Sequence, residues 1–162
     1  MTPPRAARSA LLRLAGLALA LAVPGSARAQ RLPAPERAVV SVGFAAGTLS
    51  GLSVRLPARG RTSAVVVVGY DGHNDPTFQA RAVRETDIDG SPLHGLVSAG
   101  GFVGRTGPRG RERFAAGALG TAGVGFYRGR FEVALEAVPS VRLTAPREAW
   151  VDAAFTLRYA LF

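Results

Sequence analysis

The chain has no cysteine, so no disulfide framework supports it and no lipid-anchored cysteine follows its leader. It has no lysine either: all twenty basic residues are arginine. That usage, with the many alanines, glycines and prolines, reads as a coding bias and not as a nucleic-acid footprint, because the arginines alternate with apolar residues instead of gathering on one helix face. Long hydrophobic runs are also missing. The longest, residues 14–23, has ten residues, against the ~20 that a membrane-spanning helix needs. There are only two histidines, His73 and His94, which leaves little for acid–base or metal chemistry.

The N-terminus has the layout of a secretory signal. Arg5, Arg8 and Arg13 precede the apolar run, Pro24 and Gly25 break it, and Ala27-Arg28-Ala29 puts small residues where signal peptidase reads them. Cleavage is expected before Gln30, making 1–29 a signal peptide and 30–37 a polar, proline-containing periplasmic lead-in. Loss of 1–29 removes four arginines and no acidic residue, which leaves sixteen basic against eleven acidic side chains, a net charge of +5.

From residue 38 onward the pattern has period two. The last thirteen residues, 150–162, show it best: Val151, Ala153, Phe155, Leu157, Tyr159 and Leu161 form an apolar row, and Asp152, Ala154, Thr156 and Arg158 a row of small, polar and charged side chains. Such alternation makes a strand with a different solvent on each face. The same pattern recurs in 38–46, 52–56, 62–70, 77–85, 93–105, 114–127 and 131–144, separated by turn-forming stretches such as DGHNDP (71–76) and DIDGSP (87–92). Arg128-Gly129 is read as a two-residue hairpin turn. The four consecutive valines of the third segment suit burial on both faces. In the sixth, Gly117, Gly123 and Gly125 share a face opposite Phe114, Val124 and Phe126, as a tightly curved wall with a crowded interior requires.

Eight strands with short connections and no helix predict an all-β fold, an eight-stranded antiparallel up-and-down barrel over 38–162. An even strand count and full pairing of the backbone suit a membrane-spanning barrel. The hairpin series, the Gly-rich GVGFYRGRFEVALE (123–136) and the terminal Phe162 together resemble the small eight-stranded outer-membrane barrels, the OmpX-like and OmpA-transmembrane-like group. The resemblance implies an outer-membrane protein of a Gram-negative cell envelope, surrounded by lipid and lipopolysaccharide. It also implies that barrel-insertion machinery reads the C-terminal strand through Phe155, Leu157, Tyr159, Leu161 and Phe162, although Ala160 stands where the group usually carries an aromatic. Trp150, Tyr159 and Phe162 are expected in aromatic girdles.

If the apolar rows face lipid, Arg55, Arg81, Glu132, Glu136, Arg142, Asp152 and Arg158 point into the lumen, where paired charges fill a barrel of this size and block water. Arg105, Arg109, Arg111 and Arg113 form a basic loop suited to lipopolysaccharide phosphates. The expected role is structural, adhesive or surface-interacting, for a monomer without cofactor, metal or nucleic acid. Two alternatives remain open. A lipid A-modifying barrel enzyme would need His94 and Ser98 to meet. A soluble periplasmic barrel binding an apolar ligand would turn the apolar rows inward. Asp87-Ile88-Asp89-Gly90 resembles only a fragment of a calcium loop.

Overall fold

A computed structural model describes residues 39–47, 49–71, 75–107, 113–144 and 146–161; the signal-peptide and lead-in expectations lie outside them. Eight strands run in chain order: β1 (Ser41–Gly47), β2 (Leu49–Pro57), β3 (Thr62–Asp71), β4 (Pro76–Asp87), β5 (Leu93–Thr106), β6 (Arg113–Arg128), β7 (Phe131–Arg142) and β8 (Glu148–Ala160). Each pairs antiparallel with its sequence neighbours, and β1 pairs with β8 to close the barrel. Closure leaves no strand edge, so every strand has two hydrogen-bonding neighbours.

An even-numbered meander returns both ends of the sheet to one rim. We call this the terminal end. It carries the β2–β3, β4–β5 and β6–β7 turns, and the opposite loop end carries the other four connections. A glycine with positive φ sits in each of the three terminal-end turns, beginning with Gly60 (φ 66°) between β2 and β3. Gly90 (φ 73°) follows Ile88, whose carbonyl accepts from Ser91 N–H at 3.1 Å. Gly129 (φ 61°) opens the β6–β7 turn. That turn is Gly129-Arg130, flanked by the paired Arg128 and Phe131, one residue later than the spacing suggested. A two-residue hairpin turn of the primed types needs positive φ at its first residue, and Gly129 is the residue that adopts it readily.

The rows sort by face. Phe44 (71% exposed), Leu52, Val68, Val124, Leu135, Val151 (70%) and Phe155 point outward. Ser53, Arg55, Arg81, Glu132, Glu136, Thr156 and Arg158 are buried inside. The valine run divides by the same rule: Val65 and Val67 are at most 2% exposed, while Val68 is 53% exposed. The interior is therefore not all charge. Ala45, Leu49, Val65, Val67, Val83, Leu96 and Ala134 form an apolar cluster, and charged side chains crowd the terminal half.

Two inward glycines show how tightly the wall approaches itself. A Cβ on Gly43 would collide with the Leu157 carbonyl and lie 2.5 Å from Arg158 Cα at the β1–β8 seam. A Cβ on Gly125 would lie 2.7 Å from His94 Nε2, so this glycine makes room for the imidazole of its partner in β5.

Candidate functional site: the lumen ion-pair network

The arrangement begins with Arg55, near the terminal end of β2, on the row of Ser53 and Leu49. Its Nε donates to Ser63 Oγ at 2.8 Å. Nη1 donates to Glu132 Oε1 at 2.8 Å and to Tyr127 Oη at 3.0 Å, and Nη2 to Glu85 Oε1 at 2.5 Å. Tyr127 in turn donates to Glu85 Oε1 at 2.5 Å. Glu132 Oε1 also accepts from Arg158 Nη1 at 2.9 Å, while Arg158 Nε donates to Ser53 Oγ at 2.9 Å. This one group joins β2, β3, β4, β6, β7 and β8 across the lumen. His94 on β5 stacks on Tyr127, with ring centroids 4.6 Å apart and planes 10° apart, and its Nε2 lies 3.8 Å from Glu85 Oε1.

A second group lies nearer mid-barrel. Arg81 Nη2 donates to Glu136 Oε2 at 2.7 Å, and Thr121 Oγ1 donates to Glu136 Oε1 at 2.8 Å. The Ser98 and Thr121 hydroxyls are 2.7 Å apart. A hydroxyl has one proton to give. Thr121 gives its own to Glu136, so Ser98 is the donor to Thr121. The two groups together hold Arg55, Arg81 and Arg158 against Glu85, Glu132 and Glu136, all buried. Three positive charges meet three negative ones. Buried charge is tolerated when it is paired, and each of the six is, although Arg81 Nε finds no acceptor among the described residues.

Five of the seven lumen residues read from the sequence, Arg55, Arg81, Glu132, Glu136 and Arg158, are thus brought together. Arg142 and Asp152 share their parity but lie toward the loop end, both only half-buried. Arg142 Nη1 is 3.5 Å from Glu148 Oε2, and its guanidinium sits 5.6 Å above the Trp150 ring. Trp150 is not part of an outward girdle. It shares the inward parity of Asp152 and packs edge-on against Phe102, with centroids 5.8 Å apart, because β8 begins at Glu148 and carries the alternation through position 150. Tyr159 does face outward, against Phe131 with centroids 5.2 Å apart, along with Phe155 and Leu157. Leu161 follows the strand, its N–H donating to the Val40 carbonyl; Phe162 is outside the described residues. Arg105 and Arg113 are exposed at the loop-end rim, and Arg109 and Arg111 lie outside the described residues.

Sequence reasoning passed over Glu85 and Tyr127, which complete the first group. Parity was the available signal: Glu85 follows Arg81 and Val83 on the inward row, and Tyr127 follows Gly123 and Gly125. His94 and Ser98 do not form a nucleophile and base. The Ser98 hydroxyl is committed to Thr121, whereas His94 lies against Tyr127 and Glu85.

Glu85, His94 and Glu132 place one ligand atom each within 4.8 Å of one another, the spacing of a cation site. Glu85 and Glu132 already accept from Arg55, each through Oε1. A metal ion would have to displace that guanidinium and add charge to a neutral group, so the donor set fits ion pairing and not metal binding.

No protein-family model and no curated protein matches the sequence. The fold is similar to the crystal structure of the N-terminal β-barrel domain of Pseudomonas aeruginosa OprF, with a TM-score of 0.56 and 14% identity over 75% of this chain and 95% of that one. The chain has the closed eight-stranded antiparallel barrel fold of that domain.

Proposed function

We propose that the protein is a monomeric outer-membrane barrel of a Gram-negative envelope, exported through a cleaved signal peptide. Its role is structural, adhesive or surface-interacting, and its lumen does not conduct. The observation that carries this reading is the inversion of the two faces: large apolar side chains cover the outside of the closed sheet, and three arginines and three glutamates are buried within it. A soluble barrel carrying an apolar ligand needs the opposite arrangement. Lipid accepts an apolar wall whose strands are each paired on both sides. The ion-paired terminal half supports the closed lumen, since eight strands leave an interior that side chains fill.

The outer leaflet gives the basic rim its partner. Arg105 projects from the outward row of β5 beside Phe114, its partner in β6, and with Arg109, Arg111 and Arg113 it is suited to lipopolysaccharide phosphates. The outward residues Phe155, Leu157 and Tyr159, with Leu161 and Phe162, present the closing strand to insertion machinery.

The test is fractionation with gel mobility. The protein should sediment with outer membranes, and unheated detergent should leave a folded band whose migration changes on boiling. Recovery in the soluble periplasm with no mobility shift overturns the membrane reading. Ohmic conductance from purified protein in a planar bilayer overturns the closed lumen.

A further inference from the structure

Charge is distributed unevenly between the two ends of the barrel. The three arginines and three glutamates of the lumen cancel. At the loop end Arg105, Arg113, Arg142 and Arg147 stand against Asp71, Asp75, Glu148 and Asp152, four against four among the described residues. Arg109, Arg111 and Glu112 of the β5–β6 connection add one positive charge there by sequence. The terminal end carries Arg59, Arg61, Arg84, Arg128 and Arg130 against Asp87 and Asp89, five against two, all exposed. Its net charge of +3 is the whole surplus of the described residues.

Arg61 has its partner in Asp87. Arg59, Arg84, Arg128 and Arg130 pair with no acid among the described residues. Two of these four project from the apolar wall itself. Arg84 continues the outward row of Phe78, Ala80 and Ala82 on β4, three residues before the strand ends at Asp87, and lies beside Thr62 of β3. Arg128 continues the outward row of Val124 and Phe126 on β6 and pairs in register with Phe131, whose ring meets Tyr159 edge-on at 5.2 Å. An outward aromatic pair at the strand ends belongs at headgroup height. Arginines at that height lay their apolar stems along the wall and turn their charged heads toward the rim.

We propose that the terminal rim binds anionic phospholipid headgroups, an inference that rests on the membrane reading above. A lipid phosphodiester accepts the planar fork of arginine through two oxygens. A zwitterionic lipid offers the same phosphate but brings its own cation, so it leaves the surplus charge of the rim uncompensated. A monoanionic lipid such as phosphatidylglycerol cancels it. Its acyl chains also cover the apolar wall beneath Arg84 and Arg128, a contact that no soluble anion makes. The loop end has a smaller surplus and meets the other leaflet.

The test offers the mature protein, refolded in non-ionic micelles, equal amounts of phosphatidylglycerol and phosphatidylcholine with identical acyl chains. After gel filtration the protein should retain phosphatidylglycerol in at least about fivefold excess, the preference that even one arginine near an anionic surface supplies. High salt should shrink that excess, because exposed charges are screened. Arg84→Gln combined with Arg128→Gln should bring the ratio below about twofold, whereas Arg147→Gln at the loop end should leave it unchanged. Each variant should keep its boiling-dependent gel mobility. If the double variant does not refold, Arg130→Gln and the salt dependence decide. Equal retention of the two lipids by a parent protein that shows the mobility shift overturns the proposal and leaves the membrane reading intact; loss of the shift in the parent removes both. A preference kept by the refolded double variant, or lost in Arg147→Gln, overturns the terminal rim as its source.

Discussion

Arg55 Nη1 and Glu132 Oε1 meet at 2.8 Å from β2 and β7, strands that share no ladder and lie 77 residues apart in sequence. Glu132 Oε1 is shared with Arg158 from β8, so one carboxylate oxygen holds two guanidinium groups. Replacing Glu132 with Gln removes the charge that both rely on. Breaking a buried pair by removing one partner typically costs about 3–5 kcal/mol. The urea midpoint of Glu132→Gln in micelles should fall accordingly, whereas Arg84→Gln, on the exposed outward row of β4, should stay within about 0.5 kcal/mol of the parent.

Arg81 and Glu136 allow the complementary experiment. Arg81→Met alone strands Glu136 and should destabilise strongly. Arg81→Met with Glu136→Leu replaces the pair by apolar volume and should recover most of the loss, because desolvation offsets much of a buried pair's attraction. A double-mutant cycle on urea midpoints measures the recovery. Additive single effects would show that the 2.7 Å contact contributes no coupling.

The membrane reading makes its own quantitative statement at Leu135. This residue faces outward at mid-strand, half exposed, between Val124 and Phe155. In a bilayer, Leu135→Arg should cost about 2–4 kcal/mol if the position lies near the midplane. In water the same change at an exposed site should be worth less than about 0.5 kcal/mol. Folding titrations into lipid vesicles separate the two.

Tyr127 bridges Arg55 and Glu85 through its hydroxyl. Tyr127→Phe keeps the ring that stacks on His94 and deletes that bridge. A loss of about 1–3 kcal/mol is expected for leaving the buried partners without it, read again from the urea midpoint.

Gly43 tests the seam. Its Cβ would have to occupy the space of the Leu157 carbonyl, and backbone on the closing strand has little freedom to withdraw. Gly43→Val should abolish the band that resists unheated detergent, while Gly60→Ala, in a turn with open space around it but at φ 66°, should retain the band at a cost of about 1–2 kcal/mol.

Much of this architecture is written in the period-two pattern, because a strand between two solvents must alternate and a slip of one residue would reverse every side chain. The same parity identifies Glu85, Tyr127 and Trp150 as inward. Position alone led Trp150 toward a girdle, since a tryptophan near a strand end suits either environment. Parity cannot supply the distance along the barrel axis. That depends on the stagger between strands, which sets Arg55 opposite Glu132 and leaves Arg142 at the loop end beside Glu148 and Trp150. The apolar cluster of the lumen was hidden for a related reason: a run such as Val65 to Val68 has no polar partner to show which of its members turn inside.

The reach of the network across the barrel bears on how the chain can fold. Adjacent hairpins can form early from near neighbours, but Arg55 finds Glu132, and Arg158 finds Ser53 at a separation of 105 residues, only when the sheet curls shut. Until then the inward row of each strand stays hydrated. Closure of the β1–β8 seam therefore strips water from three arginines and three glutamates in the same event that pairs them. Such a landscape favours an all-or-none final step, with a slow rate set by long-range chain closure and few stable stages between the open sheet and the finished barrel.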